Sequence, residues 1–173
     1  MRRYIILIFS FLLVLSSCKQ EEIFEVIYQE IAKEDLEIIT EDIEEEIIGI
    51  DVVYKRIAVV IFQKGNSSGY YEFYKKDDKI IEGRKVVGTG SVEKIKYVRL
   101  GGGTASGDYP FAVIHVINEK MIEDDYTMSL IGDKGSKEVK FFQYAHAIET
   151  NEIGKYISYI IKDAEGNVIL EDR

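Results

Sequence analysis

Residues 57–74 read IAVVIFQKGNSSGYYEFY and place two strand signals on either side of a turn signal. Residues 57–62 are apolar and rich in β-branched side chains, which favour strands over helices. Residues 64–69, KGNSSG, form a cluster of turn-forming residues, and residues 70–74 are mostly aromatic. The stretch therefore predicts two strands joined by a turn.

Strand-like segments continue along the rest of the chain at intervals of roughly ten residues. They are residues 50–54, 92–100, 110–117, 126–131, 138–147, 155–161 and 168–170. The last two flank DAEGN, residues 163–167, which is a strong hairpin signal. Because no helical pattern stands between the strands, the spacing predicts a mainly β fold, built as an antiparallel immunoglobulin-like sandwich over residues 49–173.

The overall composition excludes several classes of protein. The chain has 173 residues, enough for one domain and a tail, and its 46% hydrophobic content with a single proline excludes a collagen-like or wholly disordered chain. A net charge of -9 argues against nucleic-acid binding, since no surplus of basic residues exists to neutralise phosphates. With one cysteine, Cys18, the chain has no internal disulfide and no cysteine-based zinc site.

Residues 18–48 form an acidic segment with a helical pattern. Residues 19–48 hold 12 acids and 2 bases, a balance of -10, and their apolar residues recur mostly every three or four positions, with one phase shift near Asp35. These apolar residues are Ile23, Ile27, Ile31, Leu36, Ile39, Ile43 and Ile47. The pattern predicts one kinked helix or two short ones, with Asp35 or Thr40 as the cap of the second. Both a solvated stalk and a helix docked on the sheet fit this pattern, and the aliphatic stripe favours docking.

The first 17 residues have the three parts of a secretory signal. Arg2 and Arg3 give a basic start, residues 4–15 are almost unbroken apolar sequence, and two serines follow. The apolar run is shorter than the ~20 residues that a membrane-spanning helix needs. The pattern predicts that residues 1–17 are a signal peptide that is removed.

The end of this signal, Leu15-Ser16-Ser17-Cys18, resembles the lipobox of bacterial lipoproteins. The resemblance implies that Cys18 becomes the first residue of the mature chain and carries acyl chains such as palmitate. It also implies a protein anchored to the extracytoplasmic face of the cell membrane, because two acyl chains hold a protein there durably. The alternatives are an ordinary cleaved signal with Cys18 as a free thiol, or an uncleaved signal anchor.

The C-terminal half is similar to lipoproteins of unassigned function from low-GC Gram-positive bacteria. The similarity lies in GGGTAS at residues 101–106, FAVIHVIN at residues 111–118, Ile122, and DAEGNVI at residues 163–169. It implies a small extracytoplasmic β domain and brings no catalytic residues with it.

Residues 101–108, GGGTASGD, are a glycine-rich stretch between two predicted strands. They lack the Gly-Lys-Ser/Thr ending of a phosphate-binding loop, so we interpret them as a connection between strands that is a candidate for contact with a partner. The candidate contact residues in this stretch are Gly101, Gly102, Gly103, Thr104 and Ser106.

The aromatic strand at residues 70–74 supplies the other candidate contacts. Because side chains alternate between the two faces of a strand, either Tyr70 and Tyr74 or Tyr71 and Phe73 are expected to face outward. We take Tyr70 and Tyr74 as the candidate contacts, since exposed tyrosines are common at interaction surfaces. The alternative is that these tyrosines cover the hydrophobic core of a protein that has no tryptophan.

The two histidines, His115 and His146, each lie in a strand-like run. A metal site would require both on one face with a carboxylate such as Glu119 nearby. His115 alternates with its apolar neighbours, which predicts a solvent-facing side chain. We interpret both histidines as structural or surface residues and expect no cofactor.

The sequence contains no recognisable catalytic motif, so we expect a binding or adaptor module at the cell envelope rather than an enzyme. Its predicted partners are the membrane, through the lipid on Cys18, and an envelope or secreted protein, with no nucleic acid. The alternative is an inhibitor or immunity-type lipoprotein that protects against a hydrolase or toxin. A protruding loop at residues 101–108 favours the inhibitor, and a flat tyrosine-rich face favours the adaptor.

Overall fold

The computed structural model describes residues 28–65, 67–88, 98–105, 109–154 and 156–172, and within these ranges the chain forms two helices and eleven strands. The N-terminal elements are α1 (Lys33–Glu41), β1 (Glu46–Val53), β2 (Ile57–Lys64), β3 (Ser67–Lys76) and β4 (Lys79–Gly88). The middle elements are β5 (Val98–Ala105), β6 (Tyr109–Val116), α2 (Lys120–Glu123), β7 (Thr127–Gly132) and β8 (Ser136–Lys140). The C-terminal strands are β9 (Ala145–Glu149), β10 (Tyr156–Lys162) and β11 (Val168–Asp172).

The described strands form three antiparallel sheets. The first sheet has the order β1-β2-β3-β4, the central sheet β5-β6-β9, and the third sheet β11-β10-β7-β8. The prediction of a mainly β, antiparallel fold is confirmed. The immunoglobulin-like sandwich stays unconfirmed, since the described strands divide among three sheets.

The central sheet is covered on both faces. Alternate side chains of its strands point to opposite faces, and each set packs against a different neighbouring sheet. On one side, Phe111 and Val113 of β6 join a cluster of buried residues from the first sheet. On the other side, Ile114 and Val116 of the same strand join a cluster from the third sheet. The first cluster also contains Val53, Ile57, Val59, Ile61, Tyr70, Tyr74 and Ala145, and the second also contains Met121, Met128, Leu130, Phe141, Ile153 and Ile161.

The first sheet is also covered on both faces. Its outer face carries Ala58, Val60, Phe62, Tyr71 and Phe73, which pack with Ile39 of α1. The helix therefore docks on the sheet, as the aliphatic stripe predicted. The layers run from α1 through the first and central sheets to the third sheet.

The predicted helical segment extends too far toward the C-terminus. The structure ends α1 at Glu41 and starts β1 at Glu46, so the predicted boundary at residue 48 is wrong. Ile43 and Ile47 keep a helix-like spacing because both pack into the cluster beneath α1, one from the connection and one from β1. Residues 18–27 of the predicted segment lie outside the described residues.

Asp35 holds the start of α1 from inside the helix rather than preceding it as a cap. Its Oδ2 accepts a hydrogen bond of 2.7 Å from the backbone N–H of Ala32, the residue before the helix. The hydroxyl of Thr40 donates to the carbonyl of Leu36, 3.1 Å away, so Thr40 lies in the last turn and caps no second helix.

The predicted hairpin at residues 163–167 is confirmed. β10 pairs antiparallel with β11, and the carboxylate of Asp163 accepts hydrogen bonds from both the backbone and the side chain of Asn167, at 2.7 and 2.9 Å. Gly166 has a φ of +85°, a conformation that glycine adopts without strain.

The predicted single strand at residues 138–147 is wrong, since β8 belongs to the third sheet and β9 to the central sheet. Residues 141–144, here called the crossover segment, join the two. Phe141 is fully buried between the sheets, and its N–H donates to the carbonyl of Tyr126 at 2.9 Å. Burial of this ring explains why a continuous strand-like sequence breaks here.

The first and central sheets come close where β1 faces β9. The Oδ2 of Asp51 accepts a hydrogen bond of 2.7 Å from the backbone N–H of Ala147. A Cβ built on Gly49 would lie only 2.8 Å from the Cβ of Ala145, so glycine is required for this approach. The hydroxyl of Tyr54 donates to the carbonyl of Pro110 at 2.6 Å and ties the end of β1 to the start of β6.

Candidate binding surface

The glycine-rich stretch does not form the predicted connection between strands. Gly101, Gly102, Gly103 and Thr104 lie in β5 and pair with β6 along the whole ladder, so that prediction is wrong for these residues. The ladder uses backbone N–H and C=O groups, which glycine supplies as well as any other residue. Ser106 lies outside the described residues, and so does the predicted lipidation site, Cys18.

Tyr70 and Tyr74 are buried, with exposures of 3% and 8%, so their prediction as surface contacts is wrong. The alternative pair, Tyr71 and Phe73, is buried too. Neither face of β3 is free, because the central sheet covers one face and α1 the other.

The two tyrosines surround an ion pair instead. Glu72 is 2% exposed, and its Oε1 accepts a hydrogen bond of 2.9 Å from Nε of Arg84 on the neighbouring strand. Its Oε2 accepts one of 2.9 Å from the hydroxyl of Tyr74, and Nη2 of Arg84 donates to the hydroxyl of Tyr70 at 3.3 Å. Burial is the main cause that raises the pKa of both tyrosines, so both stay neutral donors and acceptors.

Gly83 of β4 leaves the space that this cluster of Glu72, Arg84, Tyr70 and Tyr74 requires. A Cβ at this position would lie 2.1 Å from the ring of Tyr74. Both carboxylate oxygens of Glu72 are engaged by side chains of the first sheet itself. The cluster therefore serves the packing of that sheet.

Two further ion pairs fasten the region around α1 to the first sheet. Nζ of Lys75 lies 3.0 Å from Oδ1 of Asp35, and Nζ of Lys85 lies 2.8 Å from Oε1 of Glu45. Burial acts to raise the pKa of Asp35, but hydrogen bonds from Ala32 and Lys75 outweigh it and the pKa is lowered.

Glu45 has the stronger set of partners of the two carboxylates. Its Oε2 also accepts a hydrogen bond of 2.9 Å from the hydroxyl of Tyr71. The hydrogen bonds from Lys85 and Tyr71 lower the pKa of Glu45 to about 2. Nζ of Lys85 in turn lies 4.6 Å from the ring centroid of Tyr71, within reach of a cation–π contact.

The two histidines lie on opposite faces of the central sheet. His115 pairs with Ala145 and His146 with Ile114, and directly paired residues share a face. Both histidines are buried, so the predicted exposure of His115 is wrong: β6 is the middle strand of a sheet that is covered on both sides. Among the described residues, no three histidine, cysteine or acidic side chains come together to hold a metal ion.

The crossover segment carries the most exposed aromatic side chain described in this chain. Phe142 is 69% exposed, and Tyr144, two positions on, is 44% exposed. The hydroxyl of Tyr144 donates a hydrogen bond of 2.6 Å to Oε1 of Glu119, just before α2, and this bond is the main cause that raises the pKa of Tyr144. Aromatic rings that are exposed and held in place in this way are typical of interaction surfaces.

We call Phe142, Tyr144 and Glu119 the candidate binding surface. Sequence reasoning missed it because residues 138–147 were interpreted as one strand. The available signal was FFQY at residues 141–144, three aromatic residues in four, of which only the first is needed in the core.

Comparison of the chain with protein-family models, with curated proteins and with solved structures finds no match. No helix within the described residues is both long and apolar enough to cross a membrane. A function is therefore inferred from the chain's own residues.

Proposed function

We propose that this chain is a lipoprotein anchored through Cys18 to the extracytoplasmic face of the cell membrane, where it binds a protein partner without catalysing a reaction. The anchor is supported by the Leu15-Ser16-Ser17-Cys18 motif, which places the single cysteine of the chain directly after a signal-like segment. A free thiol outside the cell would be open to oxidation, and lipidation removes that liability.

The length of chain after Cys18 limits how far the β layers lie from the bilayer. Tyr28, the first described residue, is ten positions after Cys18. Ten residues of fully extended chain span at most about 35 Å. The backbone carbonyl of Tyr28 already accepts a hydrogen bond from Nε of Arg56, in the turn between β1 and β2 of the first sheet. The first sheet is therefore held within about this reach of the membrane surface.

The observation that carries partner binding is the exposure of both Phe142 and Tyr144, two positions apart in one short segment. Tyrosine and phenylalanine bring large contact area at a small cost in side-chain entropy. The carboxylates of Asp35, Glu45 and Glu72, in contrast, are matched by cations of the first sheet. Because α1 packs on the outer face of the first sheet, α1 and the candidate binding surface lie on different layers.

The anchor is tested by replacing Cys18. In Cys18→Ala cells we expect an unprocessed precursor or protein released into the medium, and no incorporation of a labelled fatty acid. The matched control is Ser17→Ala, which keeps a small residue before the cysteine and should be processed and labelled like the wild type. If Cys18→Ala keeps the mass and the membrane association of the wild type, lipidation is refuted.

Partner binding is tested by crosslinking on intact cells. We expect Phe142→Ser to reduce recovery of the crosslinked partner about tenfold, the loss typical of a central aromatic contact. The control is Ile38→Ser, which changes an exposed apolar residue of α1 on another layer. Equal recovery from both variants, with unchanged thermal unfolding, would show that the candidate binding surface is not the contact.

A further inference from the structure

His146 is a buried titratable residue directly beneath the candidate binding surface. His146 is only 3% exposed. The centroid of its imidazole ring lies 4.7 Å from the ring centroid of Phe142 and 6.2 Å from the ring centroid of Phe141. The Phe142 ring stands nearly perpendicular to the imidazole, at 78°. The exposed Phe142 therefore covers a histidine that solvent does not reach.

The polar atoms of this imidazole suit its neutral form. The backbone of Gln143, inside the crossover segment, hydrogen-bonds the ring, while Nε2 is buried with no hydrogen-bond partner among the described residues. A neutral imidazole can leave one nitrogen as an unprotonated acceptor, but an imidazolium carries N–H donors on both nitrogens. A buried donor and positive charge without an acceptor are costly.

The surroundings offer little to offset that charge. His146 shares its face with Ile114, directly across on β6, and with Ile148 two positions on. Burial lowers the pKa of His146, and the hydrogen bond to Gln143 opposes this only in part. The titratable groups on the elements packed around it lie on the opposite face, as for His115, or are at least partly exposed. They include His115, Glu119, Lys120, Glu123, Tyr126, Lys140, Tyr144, Glu149 and Tyr159.

We propose that His146 is a pH-sensitive latch: while neutral it holds the crossover segment closed against the central sheet, and when protonated it releases the segment. Release moves Phe142 and Tyr144, the two aromatic residues of the candidate binding surface. The latch thus adds acid regulation to the proposed function and rests on it only for its biological meaning.

The direction of the response follows from the lowered pKa. Above the ordinary histidine value of 6.5 both the closed and the released segment carry a neutral ring, so closure is fully favoured. Below 6.5 the released state binds a proton that the closed state does not, so protection falls by up to about tenfold per pH unit. Protection stops falling once the pH reaches the lowered pKa that His146 has in the closed state.

Hydrogen exchange on the purified full-length chain in detergent tests the latch without a partner. Protection is compared at pH 7.5 and pH 5.0 after correction for intrinsic exchange rates. In the wild type we expect the amides of Phe141 and Val116, which donate to the carbonyls of Tyr126 and Tyr144, to lose about tenfold in protection at pH 5.0, while amides of β2 and β3 do not. In His146→Phe, which keeps an apolar ring and cannot titrate, protection of the segment should be the same at both pH values.

Equal protection of the wild-type segment at both pH values, or the same loss in His146→Phe, overturns the latch. Should His146→Phe fail to fold, the His146 ring of the wild type is titrated by nuclear magnetic resonance. Coincident titration of His146 and of the Phe142 and Tyr144 signals supports the latch, and independent titration overturns it. These readouts involve no partner, so failure of the crosslinking experiment leaves them unaffected.

Discussion

The first and third sheets are held to their neighbouring layers by different means. The first sheet combines apolar packing with ion pairs, in which Glu72, Asp35 and Glu45 each meet a lysine or arginine of the same sheet. The third sheet meets the central sheet through a cluster of apolar residues that includes Phe141 and Met121. The N-terminal layers thus carry matched charges, one pair of which fastens α1, whereas the C-terminal layers leave aromatic side chains exposed.

The largest expected effect comes from breaking the ion pair between Glu72 and Arg84 in the first sheet. Arg84→Met leaves the carboxylate of Glu72 buried without its cation, which should lower the free energy of unfolding by about 3 kcal/mol. Glu72→Gln should cost less, because the side chain of Arg84 is 45% exposed and its charge can be solvated. Urea unfolding of both variants checks this order, and an equal or reversed cost would contradict it.

The next effect concerns the docking of α1. Ile39→Ala removes a side chain that is 3% exposed beneath the helix, and we expect a loss of about 2 kcal/mol, at the low end for buried isoleucine because the layer is peripheral. Its neighbour Ile38 is 58% exposed, so Ile38→Ala should stay within about 0.5 kcal/mol of the wild type. Thermal unfolding of the two variants distinguishes a docked helix from a solvated stalk, in which both changes would be small.

The smallest expected effect is the loss of stability that acid causes at Glu45, beside the first sheet. Glu45 has a pKa of about 2 against an ordinary 4.5, so its contribution is full above pH 4.5 and is lost as the pH falls toward 2. Wild-type protein should therefore lose more stability than Glu45→Gln between pH 5 and pH 3. The exposed neighbour Glu46 gives the control, because Glu46→Gln should follow the wild type in urea unfolding at both pH values.

The acid loss at Glu45 and the latch at His146 occupy different pH ranges. Exchange of the crossover segment should respond just below pH 6.5, while the first sheet stays intact until the pH is below 4.5. A single transition that involves both regions at one pH would remove the distinction between them.

The strands of the first sheet were predictable because their local signals agree with their environment. Residues 57–62 are apolar at every position, as expected for a strand covered on both faces, and β2 is buried from Ile57 to Phe62. The β10–β11 hairpin was equally predictable, since the Asp163 and Asn167 side chains and Gly166 build the turn from local interactions alone.

The division into three sheets depends on long-range contacts that no local pattern records. Gly101 to Gly103 look like a loop in sequence, yet they pair with β6 because the ladder requires only their backbone. Glu72 looks like a surface charge until β3 and β4 align and bring Arg84 to its buried carboxylate. The candidate binding surface was missed for the same reason, because Phe141 is buried and Phe142 is exposed only once the crossover segment joins two sheets.

The interleaved strand order has a consequence for how the chain folds as it emerges, under the proposed function, on the outer face of the membrane. β1 to β4 are consecutive, so their sheet can form as soon as residue 88 has emerged, but the central sheet needs β9, which comes after β7 and β8. Until residue 149 emerges, the inner face of Ile57, Val59 and Ile61 lacks its full cover and is open to chaperones or to aggregation. The emerging chain is therefore most vulnerable over some sixty residues, and a truncation anywhere before β9 should leave it in that state.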